Sequence, residues 1–204
     1  MAVLQDVATP QTRANRTLIH GIERGDAYAA SVFFKRFGKR IGALVWTMMG
    51  GDAEHSDVVQ TVYMNIIQSI GSLRDPGKLA PWVDSVVYRV VCKELRRRKR
   101  SRLVSVDSYS GAFENTGRHG STSIATTRLF LILDKMDTDT RMMFSMKYLD
   151  NMALTEIAEV SGLSLSTVKR RIKDAKRAFE DLVKCDLILQ ADLEGHSDAY
   201  RCCS

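Results

Sequence analysis

The apolar residues of this chain recur at steps of three and four positions, and this spacing constrains the fold more than any other feature. Residues spaced in this way share one face of an α-helix, whereas a half-buried strand requires strict alternation. The spacing runs through two blocks, residues 18–100 and residues 129–189. The first block contains Phe33, Phe37, Ile41, Leu44, Val45, Met48, Val58, Val59, Val62, Ile66, Ile67 and Ile70, and the second contains Leu129, Ile132, Leu133, Met136, Met142, Met143, Met146 and Leu149. The chain is therefore predicted to be all-α.

A valine-rich segment, residues 82–91, has the composition of a β-strand. Its spacing nevertheless favours a helix, because Val83, Val87 and Val90 fall on one helical face. Pro81 suits the first turn of a helix, where its missing N–H group costs nothing. We therefore expect a helix here as well.

Between the two blocks the composition changes to serine, threonine, glycine and asparagine, which is typical of a flexible linker. We therefore predict two small helical domains joined by a flexible linker. The predicted bounds are 1–17 for an N-terminal tail, 18–103 for the first domain, 104–127 for the linker, 128–184 for the second domain and 185–204 for a C-terminal tail. At roughly 3.3 Å per residue the linker extends to about 80 Å at most.

Residues 154–172 have the arrangement of a helix-turn-helix. Ala158 is small where two crossed helices would approach, and Gly162 can adopt the positive φ that ends the first helix. Ser164 or Ser166 can cap the second helix. The residues expected to form the buried stripe of that helix are Leu165, Val168, Ile172, Ala175 and Phe179. The second domain is thus predicted to contain a helix-turn-helix.

The opposite face of this second helix is polar and cationic. When such a helix lies in the major groove of DNA, its N-terminal polar groups contact base edges and its cations contact phosphates. The structural alternative is an ordinary helical hairpin with a solvated basic face. The residues expected to contact duplex DNA are Ser166, Thr167, Lys169, Arg170, Lys173, Lys176 and Arg177.

The formal net charge is +6, and much of the positive charge lies in this helix and in residues 89–102. Clustered cations indicate a polyanionic partner, with nucleic acid as the first candidate and an anionic membrane surface as the second. Aromatic side chains beside cations can stack an unpaired base while the cations bind phosphates. The candidates for contact with melted DNA are Trp82, Tyr88, Arg89, Lys93, Arg96 and Arg97. The alternatives are a core position for Trp82 and a favourable helix-dipole interaction for the arginines.

Several classes of protein are disfavoured by missing patterns. No apolar run approaches the roughly 18 residues of a transmembrane helix, and the first sixteen residues lack a secretory signal, so we expect a cytoplasmic protein without membrane insertion. The sequence has no CxxC pair, no metal-ligand spacing, no nucleotide-binding loop and no nucleophile with its base. We therefore expect no enzymatic activity, no cofactor and no metal. Cys185, His196, Cys202 and Cys203 are interpreted as part of a frayed end, with soft-metal binding or oxidant sensing as the alternative.

A series of short motifs follows a fixed order along the chain. The motifs are Gly25-Asp26-Ala27, Phe33-Phe34-Lys35-Arg36-Phe37, Asp57-Val58-Val59-Gln60-Thr61-Val62-Tyr63, Pro81-Trp82-Val83 and Arg96-Arg97-Arg98, then Leu133-Asp134-Lys135-Met136, Met146-Lys147-Tyr148-Leu149 and the helix-turn-helix. Together they resemble the extracytoplasmic function (ECF, group IV) RNA polymerase sigma factors of the sigma-70 family. The first five motifs are similar to region 2 of that family, over residues 18–103, and the others are similar to region 4, over residues 128–184.

The resemblance implies an alternative sigma factor that binds core RNA polymerase, through the β′ clamp and the β flap, and directs promoter-specific initiation. Region 2 would bind the core enzyme and melt the −10 element, and region 4 would read the −35 element. The implied core-binding residues are Asp57, Val58, Gln60, Val62 and Tyr63. The resemblance also implies that the candidate residues for melted DNA serve the −10 element and that those for duplex DNA serve the −35 element. The implied partners are core RNA polymerase, promoter DNA and an anti-sigma factor.

Two features depart from the family pattern. Met136-Asp137-Thr138-Asp139-Thr140 replaces the Leu-Pro turn that is usual before region 4, and Asp174 stands where a basic side chain is usual. An acidic side chain there repels phosphate or accepts a hydrogen bond from a cytosine amino group, so we expect an unusual −35 sequence.

Two other classes of protein remain as alternatives. One is a stand-alone helix-turn-helix regulator that binds an operator, but such a protein has no need of residues 57–63. The other is an enzyme or membrane-surface protein that uses its basic helices electrostatically. The sequence has no convergent polar site that would support it.

Overall fold

The computed structural model describes residues 9–50, 55–104 and 124–184, and over these ranges the chain is all-α, as predicted. The helices are α1 (Pro10–Glu23), α2 (Ala27–Met49), α3 (His55–Ser69), α4 (Leu79–Val104), α5 (Ile124–Lys135), α6 (Thr138–Phe144), α7 (Leu154–Ser161) and α8 (Leu165–Lys184). Ile70–Ser72 and Pro76–Lys78 form single turns of 3-10 helix, and Ser145–Leu149 forms a π-helical turn after α6. No helix within these ranges has both the length and the apolarity to cross a bilayer.

Polar side chains mark the start of three helices. Thr9 precedes α1, Asp26 precedes α2 and Asp137 precedes α6. Each side chain accepts a hydrogen bond from a backbone N–H group of the first turn. These N–H groups have no partner inside a helix, so the caps stabilise the helix starts. Glycines end two helices: Gly50 after α2 has a φ of 85° and Gly162 after α7 has a φ of 69°.

Two helices extend beyond the predicted domain bounds. The predicted N-terminal tail is helical from Pro10, because Thr9 caps α1 and Pro10 occupies its first turn. The predicted linker is helical from Ile124, where α5 begins. Residues 1–8, the linker residues 105–123 and the C-terminal tail 185–204, with its cysteines and His196, lie outside the described residues.

The first bundle packs α1, α3 and α4 around α2. Its centre is formed by side chains that are at most 4% exposed: Phe33, Phe37, Ile41, Val45, Val62, Ile66, Val83, Val87 and Val91. The valines of the segment that has β propensity thus belong to a helix, as their spacing predicts. In the second bundle, α6 and α7 pack against α8.

The two bundles are in contact with each other. α4 packs against α6 and α7, and the π-helical turn packs against α2. The buried side chains of both bundles consequently form one continuous hydrophobic cluster. We call this packing of one bundle on the other the closed arrangement.

Candidate nucleic-acid interface

The second helix of the predicted helix-turn-helix, α8, is held by an apolar stripe. Val168, Ile172 and Ala175 are at most 7% exposed, and the Phe179 ring stacks on Phe144 of α6 with 4.3 Å between ring centroids. The left-handed Gly162 turns the chain between α7 and α8, and the Ser164 hydroxyl accepts a hydrogen bond from the Thr167 N–H at 3.2 Å. The tight turn and the serine cap confirm the local geometry that the sequence predicts.

The opposite face of α8 is open to solvent and carries most of the predicted duplex-contacting residues. Those that are exposed are Ser166, Lys169, Arg170, Lys173, Lys176 and Arg177, whereas Thr167 is half-buried. The hydroxyl groups of Ser166 and Thr167 lie 3.0 and 2.8 Å from Ser164 Oγ, so the three hydroxyls form a cluster at the N-terminal end of the helix. Asp174 is exposed within the cationic face.

The prediction that Leu165 is buried is wrong, since its side chain is 40% exposed. Leu165 is the first residue of α8, so no preceding turn of the helix lies beside its side chain. An exposed apolar group at the N-terminal end of a groove-reading helix can contact the C5-methyl group of thymine. Helical spacing alone predicts that Leu165 belongs to the buried stripe. Its position as the first residue of α8 is the sequence signal that it could be exposed.

The second basic surface lies along the exposed side of α4. Arg89, Lys93, Arg96 and Arg97 are exposed there, and Trp82 and Tyr88 are half-buried against the core. Burial raises the pKa of Tyr88, whose hydroxyl group also lies within hydrogen-bonding reach of Cys92. The structure therefore places the cations on one surface, while the two aromatic rings are only partly accessible.

Acidic residues hold several of these cations in place. Arg97 donates two hydrogen bonds to Glu94, at 2.8 and 2.7 Å, and Arg98 donates to the same carboxylate at 2.9 Å. The hydrogen bonds from Arg97, opposed by partial burial and reinforced by Arg98, lower the pKa of Glu94 to about 2. Arg96 donates to Asp139 of α6 at 2.6 Å. Arg96 is thus paired with a carboxylate from the other bundle.

The segment that resembles a binding edge for core RNA polymerase lies on α3. Only part of this segment is exposed at the surface. Asp57 and Gln60 are exposed. Val58 is 5% exposed and Val62 is 0% exposed, so these two side chains lie beneath the surface of the segment. They pack into the core because they face α2 and α4, and their burial fixes the position of α3.

Exposed apolar side chains that the sequence analysis did not assign to an interface lie beside this edge. Tyr63 is half-buried and packs edge-to-face on Phe34, with 4.6 Å between ring centroids. Phe34, Met64 and Ile67 are 38, 52 and 44% exposed. Such an exposed apolar patch beside polar groups is typical of a protein–protein interaction site. The sequence contained a signal for this patch, because α3 has more apolar residues than its buried face requires.

The structure also brings charged residues together at the contact between the bundles, which the sequence did not predict. Lys78, before α4, donates to Glu159 of α7 at 2.7 Å. Within the first bundle, Arg40 forms a bidentate ion pair with the buried Asp84. Asp150 of the second bundle lies near this pair, and burial raises its pKa to about 6.

Two family models match the chain in the order of the two bundles. Sigma-70 region 2 matches residues 33–101, and sigma-70 region 4 matches residues 127–179. The chain is 26% identical over 132 residues to RNA polymerase sigma factor SigV of Bacillus subtilis, covering 64% of this chain and 77% of SigV. It is 21% identical over 182 residues to the ECF RNA polymerase sigma-E factor of Escherichia coli, covering 83% of this chain and 94% of sigma-E.

Two solved structures share the fold. CnrH, solved in complex with the cytosolic domain of CnrY, superposes with a TM-score of 0.59 at 21% identity, covering 85% of this chain and 99% of CnrH. RpoE of Bartonella quintana, solved with the anti-sigma factor NepR, superposes with a TM-score of 0.57 at 18% identity, covering 76% of this chain and 97% of RpoE. At these identities the likeness concerns the fold alone.

Proposed function

The chain is an ECF sigma factor of the sigma-70 family that directs transcription initiation, and from this premise we propose how its residues divide the work. The first bundle, region 2, binds core RNA polymerase and opens the −10 element. The second bundle, region 4, reads the −35 element. We propose further that the chain is a group IV member that acts in the cytoplasm and leaves all catalysis to the polymerase.

The exposed face of α8 is the observation that carries this proposal. Its buried stripe fixes the orientation of the helix, so the cations and hydroxyl groups of the other face all point to one side. Ser166 and Thr167 lie at the end of the helix that reaches base edges, and the lysines and arginines further along bind phosphates. These residues are the proposed −35 contacts, with Leu165 added as an apolar contact.

The proposed −10 surface is the exposed side of α4. Arg89, Lys93 and Arg97 bind phosphates of the DNA strand, and Arg96 joins them when its pair with Asp139 opens. Trp82 and Tyr88 are half-buried, so they stack unpaired bases with the exposed parts of their rings. Melted DNA suits such a surface because its bases are free to stack.

The proposed polymerase contacts lie on α3 and the adjoining part of α2. Asp57, Gln60 and Tyr63 supply polar groups, and Phe34 and Met64 supply exposed apolar area. Val58 and Val62 support this surface from inside. We also propose an anti-sigma factor as a regulatory partner, since RpoE of Bartonella quintana was solved with one.

The test is run-off transcription with core RNA polymerase of the host bacterium and a DNA library randomised in the −35 and −10 elements. We expect the chain to co-elute with the core enzyme in gel filtration. We also expect transcripts from a restricted set of sequences that the core enzyme alone does not yield. The enriched sequences would define both elements.

A different result would favour the stand-alone regulator. If the chain neither co-elutes with core polymerase nor yields transcripts, but still binds duplex DNA by itself, the sigma-factor proposal fails. Binding to core polymerase without any sequence preference in the transcripts would reject the −35 and −10 assignments alone.

A further inference from the structure

The contact between region 2 and region 4 is centred on a buried arginine. Arg141 of α6 is 4% exposed. Its Nε donates to the Met48 carbonyl at 3.0 Å, and its Nη2 donates to the Met49 carbonyl at 2.6 Å. Its Nη1 donates to Asp134 of region 4 at 3.0 Å. A side chain of region 4 therefore binds the last turn of a helix in region 2.

The chemistry of this contact explains why it is stable when formed. The last carbonyl groups of a helix have no partner inside the helix, and their partial negative charge favours a cation. Met48 and Met49 are the last two residues of α2, so Arg141 satisfies carbonyl groups that would otherwise need water or another donor. Burying a guanidinium group without such acceptors would be unfavourable.

Apolar packing surrounds the arginine. The Phe130 ring of α5 is 4% exposed, packs edge-to-face on Trp46 at 5.1 Å between centroids, and covers Gly50. A Cβ atom added at Gly50 would lie 3.1 Å from a carbon of this ring. The end of α2 is thus shaped to receive region 4.

In the closed arrangement, part of the proposed −10 surface is in contact with region 4. Arg96 is paired with Asp139, and α6 and α7 lie against α4. In addition, elements centred at −35 and −10 are 25 base pairs apart, or about 85 Å at roughly 3.4 Å per base pair. Two bundles in direct contact cannot reach both elements at once.

We propose that Arg141 and the carbonyl end of α2 form an intramolecular latch that holds the free sigma factor closed, and that promoter engagement requires the latch to open. This inference rests on the proposed function for its biological meaning, but the latch itself is a property of the chain alone. It acts without an anti-sigma factor, and an anti-sigma factor that binds the closed form would add to it.

The first test measures the shape of the full chain by small-angle X-ray scattering. We expect the wild type to be compact, with a radius of gyration of about 17 Å for a chain of this length. Arg141→Met removes the donors and keeps an unbranched apolar stem, so we expect the radius to increase by several ångströms while the helical circular dichroism is retained. Arg13→Met is the matched control, because Arg13 is exposed on α1, and it should scatter like the wild type.

The second test locks the chain closed and does not depend on the Arg141 variant folding. Lys78→Cys and Glu159→Cys are introduced together, with the three tail cysteines replaced by serine, and are joined by a short bismaleimide. Lys78 and Glu159 form an ion pair across the contact and are outside the proposed polymerase and DNA surfaces. We expect run-off transcription to fall at least tenfold after cross-linking, and each single-cysteine variant treated with the reagent to keep its activity.

The two tests separate the failure of the latch from the failure of the proposed function. The latch is rejected if folded Arg141→Met keeps the wild-type dimensions, or if the cross-linked chain initiates as well as the untreated chain. If the untreated chain does not initiate at all with core polymerase, the proposed function fails, and the scattering comparison still decides whether the latch exists.

Discussion

Asp150→Asn is expected to stabilise the protein at neutral pH. Asp150 follows the π-helical turn of region 4, and its carboxyl group lies partly buried near Thr47 and the Arg40–Asp84 ion pair of region 2. Its Oδ2 atom has no hydrogen-bond partner among the described residues. Burial raises the pKa of Asp150 to about 6, although a hydrogen bond with Thr47 and the charge of Arg40 act in the opposite direction. Asparagine keeps the shape of the side chain and removes the charge.

The size of the effect follows from the pKa. The carboxyl group has an ordinary pKa of 3.8 and a folded-state pKa of about 6. The folded state therefore holds the proton more tightly, and the free energy of unfolding falls as the pH rises from about 4 to about 6. Two pKa units correspond to about 3 kcal/mol. Because the group is partly exposed, solvent screening reduces this to about 1–2 kcal/mol.

The measurement is thermal unfolding followed by circular dichroism at pH 7.5 and at pH 4. We expect Asp150→Asn to raise Tm by about 2–8 °C at pH 7.5, where the wild-type carboxylate is charged, and to change it little at pH 4. Asp174→Asn is the control, since Asp174 is exposed and its replacement should change the free energy of unfolding by less than about 0.5 kcal/mol. A lower Tm for Asp150→Asn at pH 7.5 would refute the reasoning, because the carboxylate would then be stabilising.

Three further predictions concern the contact between the regions and the DNA surface. Gly50→Ala should lower the free energy of unfolding in urea by about 1–3 kcal/mol, because its φ of 85° is strained for alanine and its Cβ would meet an aromatic ring of region 4, whereas Gly42→Ala, where a Cβ meets open space within α2, should be neutral or stabilising. Lys169→Glu combined with Arg170→Glu should abolish −35-dependent run-off transcription and leave co-elution with core polymerase intact; loss of both together would argue against separate roles for the two regions. Replacing thymine by uracil in the −35 element should weaken initiation by the wild type about fourfold at a thymine that contacts Leu165, the factor that corresponds to burial of one methyl group, and Leu165→Ala should be insensitive to that replacement.

The local structure of this chain was predictable from its sequence. The helical spacing of Val83, Val87 and Val90 outweighed their β propensity, and Gly162 and Ser164 marked the turn and the cap of the helix-turn-helix. These features depend on neighbours within about one helical turn, which the sequence displays directly. The cationic face of α8 followed from the same periodicity. The sequence thus determined the helices, the helix-turn-helix and the resemblance to sigma factors.

The long-range packing was decided only by the tertiary structure. Arg141 is one cation among many in the sequence, and its burial depends on the end of α2, 92 and 93 positions away. Val58 and Val62 share the segment that resembles a core-binding edge, yet they face α2 and α4 and are buried. Leu165 has the spacing of a core residue but lies at the start of α8, where its side chain is 40% exposed. Helical spacing shows which residues share a face. Whether that face is buried depends on which other helix packs against it, and no local sequence pattern specifies this packing.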